Sequence, residues 1–380
     1  MSGYGLPWPM ARRKLLLACY EVPGFGGAST SAYDLCRMLR EDGFDVELLC
    51  FIEERDREFF EYSFGERLGN PTGLPGVVTY GFSGSLLDPQ PELTRIIATI
   101  APGVMLAVGY IAALLLRHAA PERRLAFFTA GSQRAQAIID QGRVPDAVTL
   151  ARRVERVRAA PRSSVDQEEL AVRGADLVIM HAPMILEFFR HFYSSFEGKL
   201  YPKVVWMAEW IHRGALRHAS QARPFAEREI DLLFVASSWD RSEKNYPLVQ
   251  AIAARLAPAA IHVVGDVVTR LPGVIHHGLV ANREALLALL GNARTVVCPS
   301  RIDAAPGILF EASALGCNVV ASRNCGNWRL CHPELLVESY GADEFVERSH
   351  RSLTRKFEDH MDEFLRPSSY EDLVETLMVL

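Results

Sequence analysis

Short apolar runs, each closed by a loop rich in Gly, Pro or Ser, alternate with stretches of helical period along most of the chain. Residues 14–22 are apolar, 23–31 are loop, 32–41 carry a helical period and 45–51 are apolar again, which predicts the β-α-β start of a parallel sheet. In the helical stretch Asp34, Arg37, Arg40 and Glu41 interleave with Leu35, Cys36, Met38 and Leu39, and Gly43 supplies the stop. Later strands of the same sheet are predicted at 77–80, 104–108, 125–129 and 177–180. A second α/β unit starts near residue 225, with strands at 231–236, 260–264, 295–298 and 318–321, and helices at 246–256, 282–290 and up to Leu315. The fold class is therefore α/β, with two doubly wound Rossmann-like domains facing a cleft. The expected boundaries are 1–205 for the first domain, 206–355 for the second, and 356–380 for a helical tail positioned to pack back on the first domain.

Two segments break the alternation. Residues 53–76 mix charges, aromatics, Gly and Pro and read as a long loop or lid. Residues 142–169 hold Arg152, Arg153, Arg156, Arg158 and Arg162, which reads as a solvated helix face in preference to a surface for an anionic or lipid-linked ligand. The uncharged stretch 96–116 is long enough to cross a bilayer, but Pro102, Gly103 and Gly109 cut it into helix end, buried strand and helix, so no membrane span is predicted. The apolar run after Arg12 and Arg13 is too short for a signal peptide and leads into a Gly-rich turn, so a cytoplasmic protein is expected.

Composition narrows the partners. Hydrophobic residues are 49%, charged residues 23% and the net charge −5, the profile of a folded small-molecule enzyme with no field to gather nucleic acid. The seven cysteines contain no C-x-x-C pair and read as reduced, mostly buried thiols. Oligomeric state leaves no mark on the sequence.

The chemistry concentrates in 296–322, VVCPSRIDAAPGILFEASALGCNVVAS, a strand, loop, helix and strand. The loop leaving such a strand and the helix start after it form the usual ligand crevice of a parallel sheet. Pro306 suits a first helical turn, and Gly307 lets a ligand approach the backbone. The amides of Gly307, Ile308 and Leu309 are then expected to face a diphosphate, helped by the helix dipole. Glu311, about a turn further on, is placed to accept ribose hydroxyl hydrogens, and Asp303 lies in the loop where a sugar would hang. From spacing alone, a capping Asp303 and a surface Glu311 explain the pattern equally well.

The segment resembles the donor-binding signature of glycosyltransferase family 4 (GT4), retaining enzymes of GT-B fold, in which an acid, seven residues and a glutamate precede an Ala-rich, Gly-ended helix. Here these are Asp303, AAPGILF, Glu311 and ASALG; Asp stands where the family usually has Glu, and Pro306 displaces the loop glycine. The resemblance extends to SSWDRSEKN, residues 237–245, where the family has a basic pair gripping the diphosphate. Lys244 falls on the lysine, Ser238 on the arginine, and Arg241 is the nearby stand-in. It also extends to the loop EVPGFGGASTS, where Gly26 and Gly27 are placed at the donor phosphate and acceptor. A first-domain histidine of the family has no clear counterpart; His181 is a substitute or a buried histidine.

The resemblance implies metal-independent hexosyl transfer from a nucleotide sugar, UDP being the commonest donor nucleotide in such enzymes, with no other cofactor. Lys244, Arg241 and the helix amides would stabilise the departing diphosphate, while Asp303 and Glu311 hold sugar and ribose. The alternatives are an NAD(P)-dependent oxidoreductase, suggested by Gly24, Gly26 and Glu53 but weakened by Ser29 at the third glycine position, a non-catalytic nucleotide-binding GT-B protein, and a sugar-nucleotide epimerase of similar fold. Donor sugar, base and acceptor are not legible.

Overall fold

The central strands are apolar throughout because they are covered on both faces. Strand β1 (Leu15–Tyr20) reads LLLACY and β4 (Val104–Val108) reads VMLAV, and both are almost wholly buried. This computed structural model describes residues 14–23, 26–59, 77–132, 162–267, 269–280, 282–338, 341–365 and 368–380. The first sheet adds β2 (Val46–Glu53), β3 (Val77–Phe82), β5 (Arg124–Phe128), β6 (Leu177–Met180) and β7 (Leu200–Val204) in the order β3-β2-β1-β4-β5-β6-β7. The second contains β8 (Ile230–Ser238), β9 (Ile261–Asp266), β10 (Val274–Gly278), β11 (Ala293–Cys298), β12 (Asn318–Ser322) and β13 (Leu336–Val337), ordered β10-β9-β8-β11-β12-β13. Every pairing in both is parallel.

The order reverses between β1 and β4 in one sheet and between β8 and β11 in the other. A crevice opens beyond the carboxyl ends of strands at such a switch point. The loops leaving β1, β8 and β11 therefore decide where a ligand can sit.

Strands β7, β10 and β13 escaped the hydrophobic pattern. Strand β7 carries Pro202 and an exposed Lys203, β10 reads VIHHG and is half-exposed, and β13 spans two residues. All three lie at sheet edges, where one side of the ladder faces away from the core and a continuous apolar run is not needed. The first helix also begins earlier than the pattern predicts, at Gly27 rather than Ala32. The serines of 27–31 are helical because they are buried with partners: Ser29 Oγ donates to the carbonyls of Val22 and Gly26, at 3.0 and 3.1 Å. The 53–76 loop is described only up to residue 59, and Arg152, Arg153, Arg156 and Arg158 lie outside the described residues.

The helix Ala208–Leu216 packs against both the first helix, Gly27–Glu41, and the helix Gly307–Ala314 of the other sheet. Its Trp210 is buried and donates from Nε1 to Ser31 Oγ at 2.7 Å. Phe364 packs edge-on against Phe310 and Trp206, at centroid separations of 5.4 and 4.8 Å. The last helix, Ser368–Val379, returns to the first sheet, with Asp372 paired to Lys203 at 2.9 Å. All seven cysteines are buried and unbridged, and no helix of the described residues is long and apolar enough to cross a membrane.

Candidate active site between the two sheets

A cavity of about 730 Å³ separates the domains and is lined from both. That volume lies in the range of small-molecule sites. Its second-domain wall is made by the loops after β8 and β11, which are tied together: Arg301 N donates to the Glu243 carbonyl at 2.7 Å, and Asn245 Nδ2 to the Pro299 carbonyl at 3.2 Å. Asn245 adopts a left-handed conformation, φ 59°, that closes the 3₁₀ turn Ser242–Lys244. Lys244 thus sits on a short turn before the helix Tyr246–Arg255, and its side chain is aimed back at the β11 loop.

There Lys244 Nζ meets Asp303 Oδ2 at 2.7 Å. Burial alone favours the neutral amine, but the attraction of Asp303 outweighs it and holds the ammonium above its ordinary range. The site thus contains a fixed, partly desolvated cation. Asp303 is not a wholly free hydroxyl acceptor as the sequence suggested, since one oxygen is engaged by the lysine.

The Asp303 loop is braced from behind. Gly326 N donates to the Asp303 carbonyl at 2.8 Å, and Asp303 N to the Asn324 carbonyl at 3.1 Å. A Cβ on Gly326 would lie 1.7 Å from the Ala304 carbonyl oxygen, a clash with backbone that cannot swing aside. Gly326→Ala is expected to displace this loop, costing roughly 2–4 kcal/mol of stability and weakening nucleotide binding, measured by chemical denaturation and calorimetry.

The helix Gly307–Ala314 starts at the cavity wall. Pro306 is its cap rather than a first-turn residue, with φ −59° and ψ 110°, and its carbonyl accepts from Leu309 N and Asn327 Nδ2, both at 3.1 Å. Leu309 therefore does not present the free amide expected of it, and its side chain is fully buried. Gly307 and Ile308 line the cavity, and their amides belong to the first turn, where no preceding helical carbonyl reaches them. Glu311 also lines it, only 6% exposed, with Oε1 paired to Arg283 Nη1 at 2.7 Å. The reading of Glu311 as an exposed surface acid is thereby excluded.

Of the remaining second-domain candidates, Arg241 lines the cavity and pairs with Glu243 at 2.5 Å, and its half-exposed side chain leaves it room to turn. Ser238 ends β8 at the rim, its hydroxyl bonded to Asp240. From the first domain come Gly26, which caps the first helix in extended conformation, and Gly27, beside which a Cβ would meet open space. Gly24 lies outside the described residues, and Ser29 turns its hydroxyl onto the loop carbonyls. His181 is 2% exposed, shares a hydrogen bond with Thr129 Oγ1 at 3.1 Å, and borders the cavity. Burial pushes its pKa down to about 4, so the ring is neutral near pH 7.

Three further residues have no signature in the sequence. Glu21 leaves β1 with φ 66°, a strained conformation for a residue with a side chain, and borders the cavity with its pKa raised by burial to about 7. Arg283 and Asp34 form a chain with Glu311: Arg283 Nη2 meets Asp34 Oδ2 at 2.7 Å across the domain boundary. Their partners are 249 and 28 residues distant, a spacing without a motif. No group of three or more His, Cys, Asp or Glu suited to a metal occurs among the described residues.

Residues 229–355, a third of the chain, match the family model described as glycosyl transferases group 1. The match falls on the domain containing Lys244, Asp303 and Glu311. No curated protein matches the chain by sequence. Among solved structures, sucrose-phosphate synthase from Thermosynechococcus elongatus is similar with a TM-score of 0.62 at 16% identity, covering 96% of this chain and 94% of that one. The catalytic domain of starch synthase IV from Arabidopsis thaliana, solved with ADP and acarbose, gives 0.57 at 12% identity, covering 97% and 99%. The UDP-GlcNAc 2-epimerase of Methanocaldococcus jannaschii, solved with UDP-GlcNAc and UDP, gives 0.57 at 15% identity, covering 97% and 100%. At these identities the likeness is one of fold, and the fold is GT-B.

Proposed function

We propose that the protein is a retaining glycosyltransferase that moves a hexosyl group from a nucleoside-diphosphate sugar to a hydroxyl acceptor, working in the cytoplasm and without a metal ion. The observation that carries this reading is the second-domain wall: a buried lysine-aspartate pair, a helix start and a buried glutamate in one cavity, within the segment matched to glycosyl transferases group 1. The neighbours solved with UDP-GlcNAc and UDP, and with ADP and acarbose, support a nucleotide in this cleft.

In this reading the amides of Gly307 and Ile308 and the ammonium of Lys244 seat the diphosphate. Asp303 orients Lys244 and offers its second oxygen to a sugar hydroxyl, and Glu311 accepts from the ribose through the oxygen that Arg283 leaves unused. As the bond from the anomeric carbon to the phosphate oxygen breaks, negative charge grows on the diphosphate, so Lys244 binds the transition state more strongly than the ground state. The acceptor oxygen bonds to the anomeric carbon, and its proton passes to a leaving-phosphate oxygen. Gly26, Gly27 and the strained Glu21 face this centre from the acceptor side. Arg241 is close enough to the wall to contribute a second cation in place of the arginine missing at Ser238.

Thermal unfolding with UDP, ADP, UDP-glucose and NAD added separately tests the reading. Saturating nucleotide at 100 times Kd stabilises by about 2.7 kcal/mol, which raises Tm by a few degrees. A rise with a nucleoside diphosphate or its sugar and none with NAD is expected. A rise with NAD alone would transfer the protein to the oxidoreductases.

A further inference from the structure

Arg283 spends its two terminal nitrogens on carboxylates of different domains, Asp34 of the first helix and Glu311 of the helix Gly307–Ala314, each at 2.7 Å. Asp34 is 4% exposed, Glu311 6% and the Arg283 side chain 17%, so the three groups sit largely out of water. Such a triad is a poor device for stability, because desolvating the charges offsets most of their attraction and well-packed apolar residues would do as well. What it does supply is geometry, since a guanidinium forked to two carboxylates fixes both. Burial pushes the Asp34 carboxyl up to about 7 and Arg283 only partly opposes this, while Arg283 itself is held above its ordinary range by its two acids.

The packing around Asp34 is equally specific. A Cβ on Gly214, in the helix Ala208–Leu216, would lie 2.8 to 2.9 Å from the Asp34 carboxylate, so only a glycine there lets the carboxylate keep its place. Three elements, the first helix, the 208–216 helix and the start of the helix Arg283–Gly291, thus converge to hold one oxygen of Glu311.

We propose that Arg283 is a positioning residue for the nucleotide site and that Asp34, in the opposite domain, acts through it, so that the strap Asp34–Arg283–Glu311 makes nucleotide affinity depend on how the two domains are seated. Arg283 pins Glu311 through Oε1 and leaves Oε2 for the nucleotide. Any shift of the first domain that withdraws Asp34 loosens Arg283 and with it Glu311. By linkage, a nucleotide held by Glu311 favours the seated arrangement in return. This rests on the assignment of Glu311 to the ribose.

The test is calorimetric Kd for UDP in the full chain. Arg283→Ala is expected to weaken UDP at least about 10-fold, the worth of one charge-assisted hydrogen bond. Asp34→Asn and Gly214→Ala, neither of which touches the nucleotide wall, are each expected to weaken it by about 3- to 10-fold. The double variant Asp34→Asn/Arg283→Ala should bind no worse than Arg283→Ala alone, and Arg283→Lys, which keeps the charge but not the fork, should recover part of the affinity. A purely structural role would lower Tm and leave Kd unchanged; that result, or losses that multiply in the double variant, would overturn the proposal. If the wild-type chain binds no nucleotide, the assignment of Glu311 falls and the proposal falls with it; Tm shifts for Asp34→Asn and Arg283→Ala, non-additive where the three residues are coupled and additive where they are not, tell that failure apart from the absence of the strap itself.

Discussion

Glu311→Ala is expected to reduce kcat/KM for nucleotide-sugar turnover, hydrolysis or transfer, by about 10²- to 10³-fold, because two losses fall on one residue. The first is the hydrogen bonding of ribose hydroxyls to a carboxylate, about 1.5–3 kcal/mol for each bond. The second is Arg283, which would keep its place among buried groups with one of its two carboxylates gone. Removing one partner of a buried ion pair costs more than the pair contributes, about 3–5 kcal/mol, part of which appears as lower stability. The two are separated by Glu311→Gln, which preserves shape and one hydrogen-bond acceptor and should keep more of the fold than of the activity. Steady-state rates beside unfolding curves provide the measurement. Turnover at the wild-type rate in both variants would show that the ribose lies elsewhere.

Lys244→Ala should act on kcat more than on KM. On the proposed reading the lysine stands where charge would accumulate on the leaving diphosphate, and deleting one such preorganised donor costs about 10²- to 10³-fold. The side chain has no slack: its nitrogen is 2.7 Å from Asp303 and both are largely buried. In Lys244→Ala the Asp303 carboxylate would face the proposed diphosphate without its cation, so the local charge of the pair falls from zero to −1. Asp303→Asn in the same background is therefore expected to restore part of the lost rate, a rescue that a simple cavity would not produce. A variant with intact kcat and raised KM would mean that Lys244 holds the donor without aiding departure.

Both expectations use residues that stand out in the amino-acid sequence, and it matters why these did. Lys244 and Asp303 follow strands and Glu311 lies one turn into a helix of a β-α-β alternation, where period and loop chemistry are local properties. Pro306 and Gly307 were equally visible as a helix start, although the structure moves Pro306 one step outward to the cap and returns Leu309 to the core. The edge strands β7, β10 and β13 left a weak pattern because half-exposed strands need no continuous apolar run. The first helix was shortened in the reading because serines look like loop until their hydroxyls are seen to bond the turn before them.

By itself, the sequence determined the α/β class, the doubling of the sheet and the identity of the helix start and carboxylates at the second-domain wall, because each is written in neighbouring residues. Only the tertiary structure decided that Asp303 lies against Lys244, that Glu21 leaves its strand in a strained conformation, and that Asp34 reaches Glu311 through Arg283. Those contacts join residues far apart in the chain, and their distances are set by how two sheets pack across a shared helix, which no local period encodes.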